Sequence, residues 1–256
     1  MVNTAERIGR WMRARVTAAH ARGLVVGVSG GLDSAVVARL CQLAMPDRAL
    51  GVLLPCHSNP DDERDARLVA AHFELPTIRV DLGPAVDPLQ RTLTEAMAGL
   101  PPGMDAAPPS SDDTRVRMSL ANLKPRLRMA SLYFVANRLN YLVAGTGNRA
   151  ELAIGYFTKH GDGGVDLMPL GRLLKSDVRA LARQLGVPAS IIEKPPTAGL
   201  WVGQTDEGEM GFSYPELEAY LRDGPEAVPP AVALRIERLI RATEHKRALP
   251  PMPDED

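Results

Sequence analysis

Ile8, Trp11, Met12 and Val16 recur at helical spacing near the start of the chain, behind an Asn3 and Glu6 pair with the form of a capping box. This pattern predicts a first amphipathic helix. An apolar strand from Leu24 to Val28 then runs into Ser29, Gly30, Gly31, Leu32, Asp33 and Ser34, and 33–44 resumes a helical pattern. Residues 49–54 form a short apolar run ending at Pro55, which suits a buried parallel strand rather than an alternating one. Residues 61–74 read as the crossover helix, and 77–80 as a third strand closed by an Asp81-Leu82-Gly83 turn. Strand and helix in repeated succession predict an α/β fold: a doubly wound parallel sheet with helices on both faces and ligands at the carboxyl ends of the strands.

The second half is less regular. Residues 99–111 hold four prolines and little apolar content, so 99–114 is expected to be a surface loop. Leu120, Leu123, Leu127, Ala130, Leu132 and Phe134 mark a helix in which Pro125 is tolerable only near the first turn. A strand at 142–144 enters Gly145-Thr146-Gly147-Asn148-Arg149-Ala150-Glu151, a second glycine-flanked turn feeding a helix. Residues 155–171 read as an irregular loop, 175–185 as a helix stopping at Gly186 and Pro188, and 195–210 as another loop. A last helix is expected over 232–247, and 250–256 as a frayed tail.

Composition narrows the function classes. A chain of 256 residues can bury one sizeable core, and 1–256 is read as a single domain. Lys and Arg total 30 against 31 Asp and Glu, so net charge suggests neither a nucleic-acid nor a membrane partner. Arginines at 7, 10, 13 and 15 interrupt any signal-peptide core, and no run elsewhere could span a bilayer, so a cytoplasmic location is expected. Cys41 and Cys56 suit reduced core thiols and argue against thiolation chemistry.

The chemistry gathers at the first glycine pair. Glycines admit close backbone approach, and a helix following them aims unpaired N–H groups at an anion. The string fits neither GxxxxGK[ST] nor GxGxxG, and the plain alternative is a turn in which Asp33 or Ser34 caps the helix. SGGLDS after a strand resembles the loop of the ATP pyrophosphatases, which split ATP between its α and β phosphates. That resemblance implies an adenine nucleotide alpha hydrolase-like fold in which Ser29, Ser34 and the loop N–H groups hold pyrophosphate and Asp33 holds Mg²⁺.

Five strings in order extend the resemblance along most of the chain: SGGLDS at Ser29, NLKPRLRM at Asn122, GTGNRAELAIGYFTKHGDGGVDLMPL at Gly145, KPPTAGLWVGQTDEGEMG at Lys194 and EHKR at Glu244. Together they resemble the NAD⁺ synthetases of the ammonia-dependent type. The implied reaction adenylates the nicotinate carboxylate of deamido-NAD⁺ with ATP, releasing pyrophosphate, and ammonia then displaces AMP. The implied ATP site comprises Gly27, Val28, Ser29, Gly30, Gly31, Leu32, Asp33, Ser34, Thr146, Lys175 and Thr197. Asp33 and Glu151 would ligate Mg²⁺, and Arg126, Lys159, Asp166, His245 and Lys246 would meet deamido-NAD⁺. No covalent or general acid/base residue is implied, and members of the family are homodimers.

Each of these residues has a plainer reading. Glu151 in a first helical turn favours the macrodipole whatever it binds, whereas Lys175 at a helix start is mildly unfavourable and hints at an anionic neighbour. Arg126 and Arg128 would pass for a helix's wet face, His160 for a loop histidine, and Asp206, Glu207 and Glu209 for a solvated run. Gly147, Asn148, Pro125 and Gly199 depart from residues common among relatives. With no added segment for a glutamine amidase, ammonia is expected to arrive directly or from a separate amidase partner. The competing readings are another pyrophosphatase-loop ligase or amidotransferase subunit, and a non-catalytic ATP sensor.

Overall fold

The computed structural model of the protein describes residues 3–101, 103–104, 114–195 and 205–253. Helix α1 (Thr4–Ala18) is capped by Asn3, whose side chain accepts from the Ala5 N–H rather than that of Glu6, so a simple cap replaces the expected box. Ala5, Ile8, Met12 and Val16 form its buried stripe, while Trp11 is 41 % exposed. Trp11 follows the apolar spacing only loosely, lying about 100° round the helix from Met12 and off the buried stripe.

Strand β1 (Gly23–Gly27) leads to α2 (Leu32–Ala44), then β2 (Ala49–Leu53), α3 (Pro60–His72), β3 (Thr77–Arg79) and α4 (Gly83–Ala98). Helix α5 (Thr114–Leu139) precedes β4 (Tyr141–Ala144) and α6 (Arg149–Ile154). Helices α7 (Lys175–Gln184), α8 (Ala189–Ile192), α9 (Asp206–Met210), α10 (Tyr214–Asp223) and α11 (Pro230–Ala242) complete the described α-helices. Short 3₁₀ turns lie at Pro225–Ala227 and Glu244–Lys246. Residues 250–253 have no regular structure.

The four strands are all parallel, in the order β3-β2-β1-β4, with Val25 opposite Leu50 on one side and Val143 on the other. The chain winds outward from β1 through β2 to β3 and then returns to place β4 on the opposite side of β1. The order therefore reverses between β1 and β4, and the crevice beyond their carboxyl ends is where such sheets bind ligands. Both glycine-flanked loops emerge there.

Alternation along the strands builds two cores. Leu24 and Val26 pack with α1, α2, α7 and α8, whereas Val25, Val52 and Val143 face Val86 of α4 and Leu127, Leu132 and Ala136 of α5. A third cluster joins α6, α10 and α11 through Ile154, Leu217 and Ile236. Edge strand β3 is short and exposed, which limits its use as a pairing template. Among the described residues no helix is long and apolar enough to cross a membrane.

Three further sequence expectations need correction. Helix α5 begins well before Pro125, which sits in its interior. Its inward Leu123 and Leu127 alternate with outward Leu120 and Phe134, so apolar residues wrap round the helix and their spacing does not mark its start. Part of the expected 195–210 loop is α9, capped by the Thr205 side chain; residues 196–204 lie outside the described residues, as do 105–113 of the expected surface loop. The last α-helix ends at Ala242, and the EHKR string falls on the 3₁₀ turn beyond it. Helix α10, unforeseen, carries its own signal: Ser213 and Glu216 form a true capping box around Pro215.

Candidate active site

The first loop is held open by its own side chains. Ser34 Oγ accepts from Ser29 N and Ser29 Oγ at 3.2 and 3.0 Å and donates to the Gly31 carbonyl at 2.9 Å. Gly30 has φ +80°, whereas Gly31, the N-cap of α2, is extended. Only glycine fits at position 30: a Cβ there would lie 2.4 Å from the Asp62 carbonyl oxygen, because the N-terminal part of α3 packs directly against the loop. No side chain caps α2, so its first N–H groups face the crevice, as an anion site requires.

The second loop is fixed by reciprocal caps. Asn148, fully buried, accepts from the N–H groups of Ala150 and Glu151, and Glu151 Oε2 accepts from Asn148 N at 3.1 Å. Glu151 Oε1 is turned the other way, 3.6 Å from Lys175 Nζ. One carboxylate thus serves the helix with one oxygen and the crevice with the other.

Lys175, the first residue of α7, is 5 % exposed, and its ammonium lies 2.5 Å from Asp33 Oδ2. Asp33 Oδ1 is buried without a hydrogen-bond partner. Two carboxylates converge on one ammonium. Burial chiefly, and then the Asp33 charge, push Glu151 up to about 8, against the opposing pull of Lys175. Burial acts to lower Lys175, but Asp33 and Glu151 more than offset it, and its charge is held. Two carboxylates against one ammonium leave a place where a further cation could displace the Glu151 proton.

These groups line a cavity of about 470 Å³ that also receives Gly27, Val28, Leu32 and Thr146, within the ~300–1,000 Å³ typical of small-molecule sites. Thr197 lies outside the described residues. Several residues in or beside the cavity were not singled out by sequence, or were misread. Asn148, treated as a doubtful departure, brings its amide within 3.5 Å of Asp33 Oδ2. Arg128 is not on a wet face: its guanidinium donates to the Leu54 carbonyl at 3.1 Å and to Ser58 Oγ at 3.0 Å. Lys194 bonds Asp62 and Asp65 of α3 at 2.9 and 2.6 Å, bracing the helix that supports Gly30. Of the acidic run, Glu207 and Glu209 are exposed as expected, but Asp206 is not solvated: it is 4 % exposed and accepts from Tyr156 and Tyr214. The available sequence signal for these residues was membership of the quoted strings.

A sequence profile described as NAD synthase matches residues 4–250. The chain belongs to the NAD synthase family. An NH3-dependent NAD⁺ synthetase of Carboxydothermus hydrogenoformans is 49 % identical over 248 residues, 97 % of this chain and 96 % of that protein. Among solved structures, an NMN synthetase from Francisella tularensis superposes with a TM-score of 0.85 at 33 % identity, covering 98 % of each chain. The NAD⁺ synthetase of Burkholderia pseudomallei gives 0.75 at 34 % identity, covering 98 % of this chain and 92 % of that one.

The residues expected at the dinucleotide have these surroundings. Lys246 lines the cavity, but its ammonium donates to the carbonyls of Gly155 and Phe157, both at 2.7 Å. Arg126 donates to the Lys159 carbonyl at 3.3 Å on the exposed side of α5. Asp166 accepts from Tyr133 Oη and Val143 N at 2.9 and 2.8 Å, and His245 is exposed on the 3₁₀ turn. His160 is a loop residue with φ +58°.

Proposed function

We propose that the chain catalyses ATP-dependent amidation of deamido-NAD⁺ to NAD⁺ with ammonia, through an adenylated carboxylate, releasing AMP and pyrophosphate. The observation that carries this reading is the meeting of Asp33, Glu151 and Lys175 at the crevice between β1 and β4, beside an uncapped helix N-terminus. A carboxylate resists attack by an amine because its leaving group would be oxide; joined to AMP, it gains a good one. In the first step the nicotinate carboxylate attacks the α phosphorus as pyrophosphate departs. The loop N–H groups and Lys175 neutralise the departing charge, an electrostatic role that needs no proton transfer. Ammonia then attacks the acyl carbon as the neutral amine, and AMP leaves.

Asp33 and Glu151 suit Mg²⁺: both are oxygen donors, Asp33 Oδ1 is orphaned, and burial first, then the Asp33 charge, raises Glu151. When bound, the ion would neutralise phosphate charge. Arg126, Lys159, Asp166, His245 and Lys246 are assigned to the acceptor dinucleotide and Thr146 and Thr197 to ATP. The assignment is coupled to a homodimer, as the resemblance implies. Exposed Leu93 and Met97 of α4 and Val116, Leu120 and Phe134 of α5 support such an interface. Buried free Cys41 and Cys56 accord with a cytoplasmic location.

A mononucleotide acceptor is the second reading, favoured by the superposition on an NMN synthetase. One assay separates the two. Purified protein is given ATP, Mg²⁺ and ammonium with deamido-NAD⁺ or with nicotinate mononucleotide, and the amide, AMP and pyrophosphate are measured. Higher kcat/KM for deamido-NAD⁺ is expected; the reverse ratio replaces the first reading by the second, and no pyrophosphate with either removes both.

A further inference from the structure

Tyr214, the first residue of α10, is 3 % exposed, yet its hydroxyl reaches back toward the crevice and donates to Asp206 Oδ2 at 3.0 Å. The other Asp206 oxygen accepts from Tyr156 Oη at 3.2 Å. The face of the Tyr214 ring lies 5.3 Å from Lys175 Nζ, on the ammonium that also meets Asp33 and Glu151. Glu207 Oε1 accepts from Tyr214 N at 2.9 Å, so α9 and α10 grip each other around this tyrosine.

Lysine has a flexible four-carbon stem, and a cation at a helix N-terminus gains nothing from the macrodipole. A ring face offers attraction without offering an oxygen, so it can hold the ammonium while Asp33 is exchanged for a phosphate. The hydrophobic cluster of α6, α10 and α11 would be filled equally well by phenylalanine; a buried hydroxyl is an added cost that its bond to Asp206 offsets.

We propose that Tyr214 is a positioning residue for the phosphate-binding lysine: its ring holds the Lys175 ammonium in the crevice, and its hydroxyl, bonded to Asp206, sets the ring. This rests on the reading that Lys175 meets ATP phosphates. Affinity of the Lys175→Met single variant tests that reading alone, whereas the proposal is decided by comparing the Tyr214 variants with and without Lys175, in binding that needs no turnover.

The probe is α,β-methylene ATP with Mg²⁺, titrated calorimetrically into wild-type protein, Tyr214→Phe and Tyr214→Leu, each also made in a Lys175→Met background. Tyr214→Phe keeps the ring and loses the hydroxyl bond, and is expected to weaken binding about threefold. Tyr214→Leu loses both, with about tenfold weaker binding. In the Lys175→Met background the same changes are expected to alter affinity by less than about twofold, because the group they position is gone. Tyr214→Phe preserves volume, so it and its Lys175→Met double decide the matter even where the leucine variant folds poorly. Wild-type affinity in Tyr214→Phe, or equal losses with and without Lys175, overturns the proposal.

Discussion

Lys175 Nζ and Asp33 Oδ2 lie 2.5 Å apart across 142 positions of sequence, joining the first turn of α7 to the first turn of α2. Neither residue caps its helix in the usual way: the N-cap of α2 is Gly31, without a side-chain bond, and Asp33 points across the crevice instead. The pairing also explains how a lysine is tolerated at a helix start, since a carboxylate 2.5 Å away outweighs the small macrodipole penalty.

Asp33→Asn keeps the shape but removes the charge. Pyrophosphate release is expected to fall by about 100-fold or more. With the Asp33 charge removed, Glu151 loses part of the push that raises it, though not the larger part from burial, and it still lies 3.6 Å from the Lys175 ammonium. The thermal midpoint should therefore move by only about a few degrees. Release within a few-fold of wild type would return Asp33 to a structural role.

Glu151 gives the ligand-free protein a pH signature. Its folded value of about 8 lies above the ordinary 4.5, so between those values the folded chain holds a proton that the unfolded chain does not. Its contribution to stability is full below about 4.5 and is lost as pH rises toward about 8. Thermal midpoints across that range should fall more steeply in wild type than in Glu151→Gln. Parallel curves would show that this carboxyl is not raised.

Gly30→Ala places a Cβ 2.4 Å from the Asp62 carbonyl at a φ of +80°. The loop or α3 must move, at a cost of about 1–3 kcal/mol. Denaturant unfolding should register that loss, and ATP-analogue binding should weaken with it. Unchanged binding would separate the loop conformation from the nucleotide site.

His245 and Lys246 should divide in single variants. Lys246→Ala leaves the Gly155 and Phe157 carbonyls without their ammonium and should lower the thermal midpoint as well as acceptor binding. His245→Ala should raise the KM for deamido-NAD⁺ and leave the midpoint in place. An unchanged KM would remove His245 from the acceptor site.

At subsaturating ammonium the rate should rise with pH across neutrality, because only the neutral amine carries a lone pair. Glutamine should support far less turnover than ammonium, in line with the NH3-dependent relatives. A flat pH profile, or equal rates with ammonia-free glutamine, would exclude free ammonia as the attacker.

The sheet was legible because strands buried on both faces leave continuous apolar runs: 24–28, 49–54 and 142–144 correspond to β1, β2 and β4. Glycine-flanked loops after two of them marked the crevice, since few other residue types permit so tight a turn into a helix. The start of α5 was not legible, because Leu120 and Phe134 are as apolar as Leu123 and Leu127 although they face outward.

Local sequence also determined that Glu151 begins a helix and that Asp33 follows a glycine pair, for both depend on neighbours within a few residues. Whether they share a site depends on strand order, and only the return of β4 to the side of β1 brings them to one ammonium. Asp206, at the head of an acidic run whose Glu207 and Glu209 are exposed, shows the same limit. Its charge suggested solvent, but burial is decided by what packs over a residue, and here Tyr156 and Tyr214 arrive from separate segments to satisfy Asp206. Hydrogen bonds that close over 50 positions of sequence leave no periodic trace in it, so the ionic core of the site belongs to the tertiary structure alone.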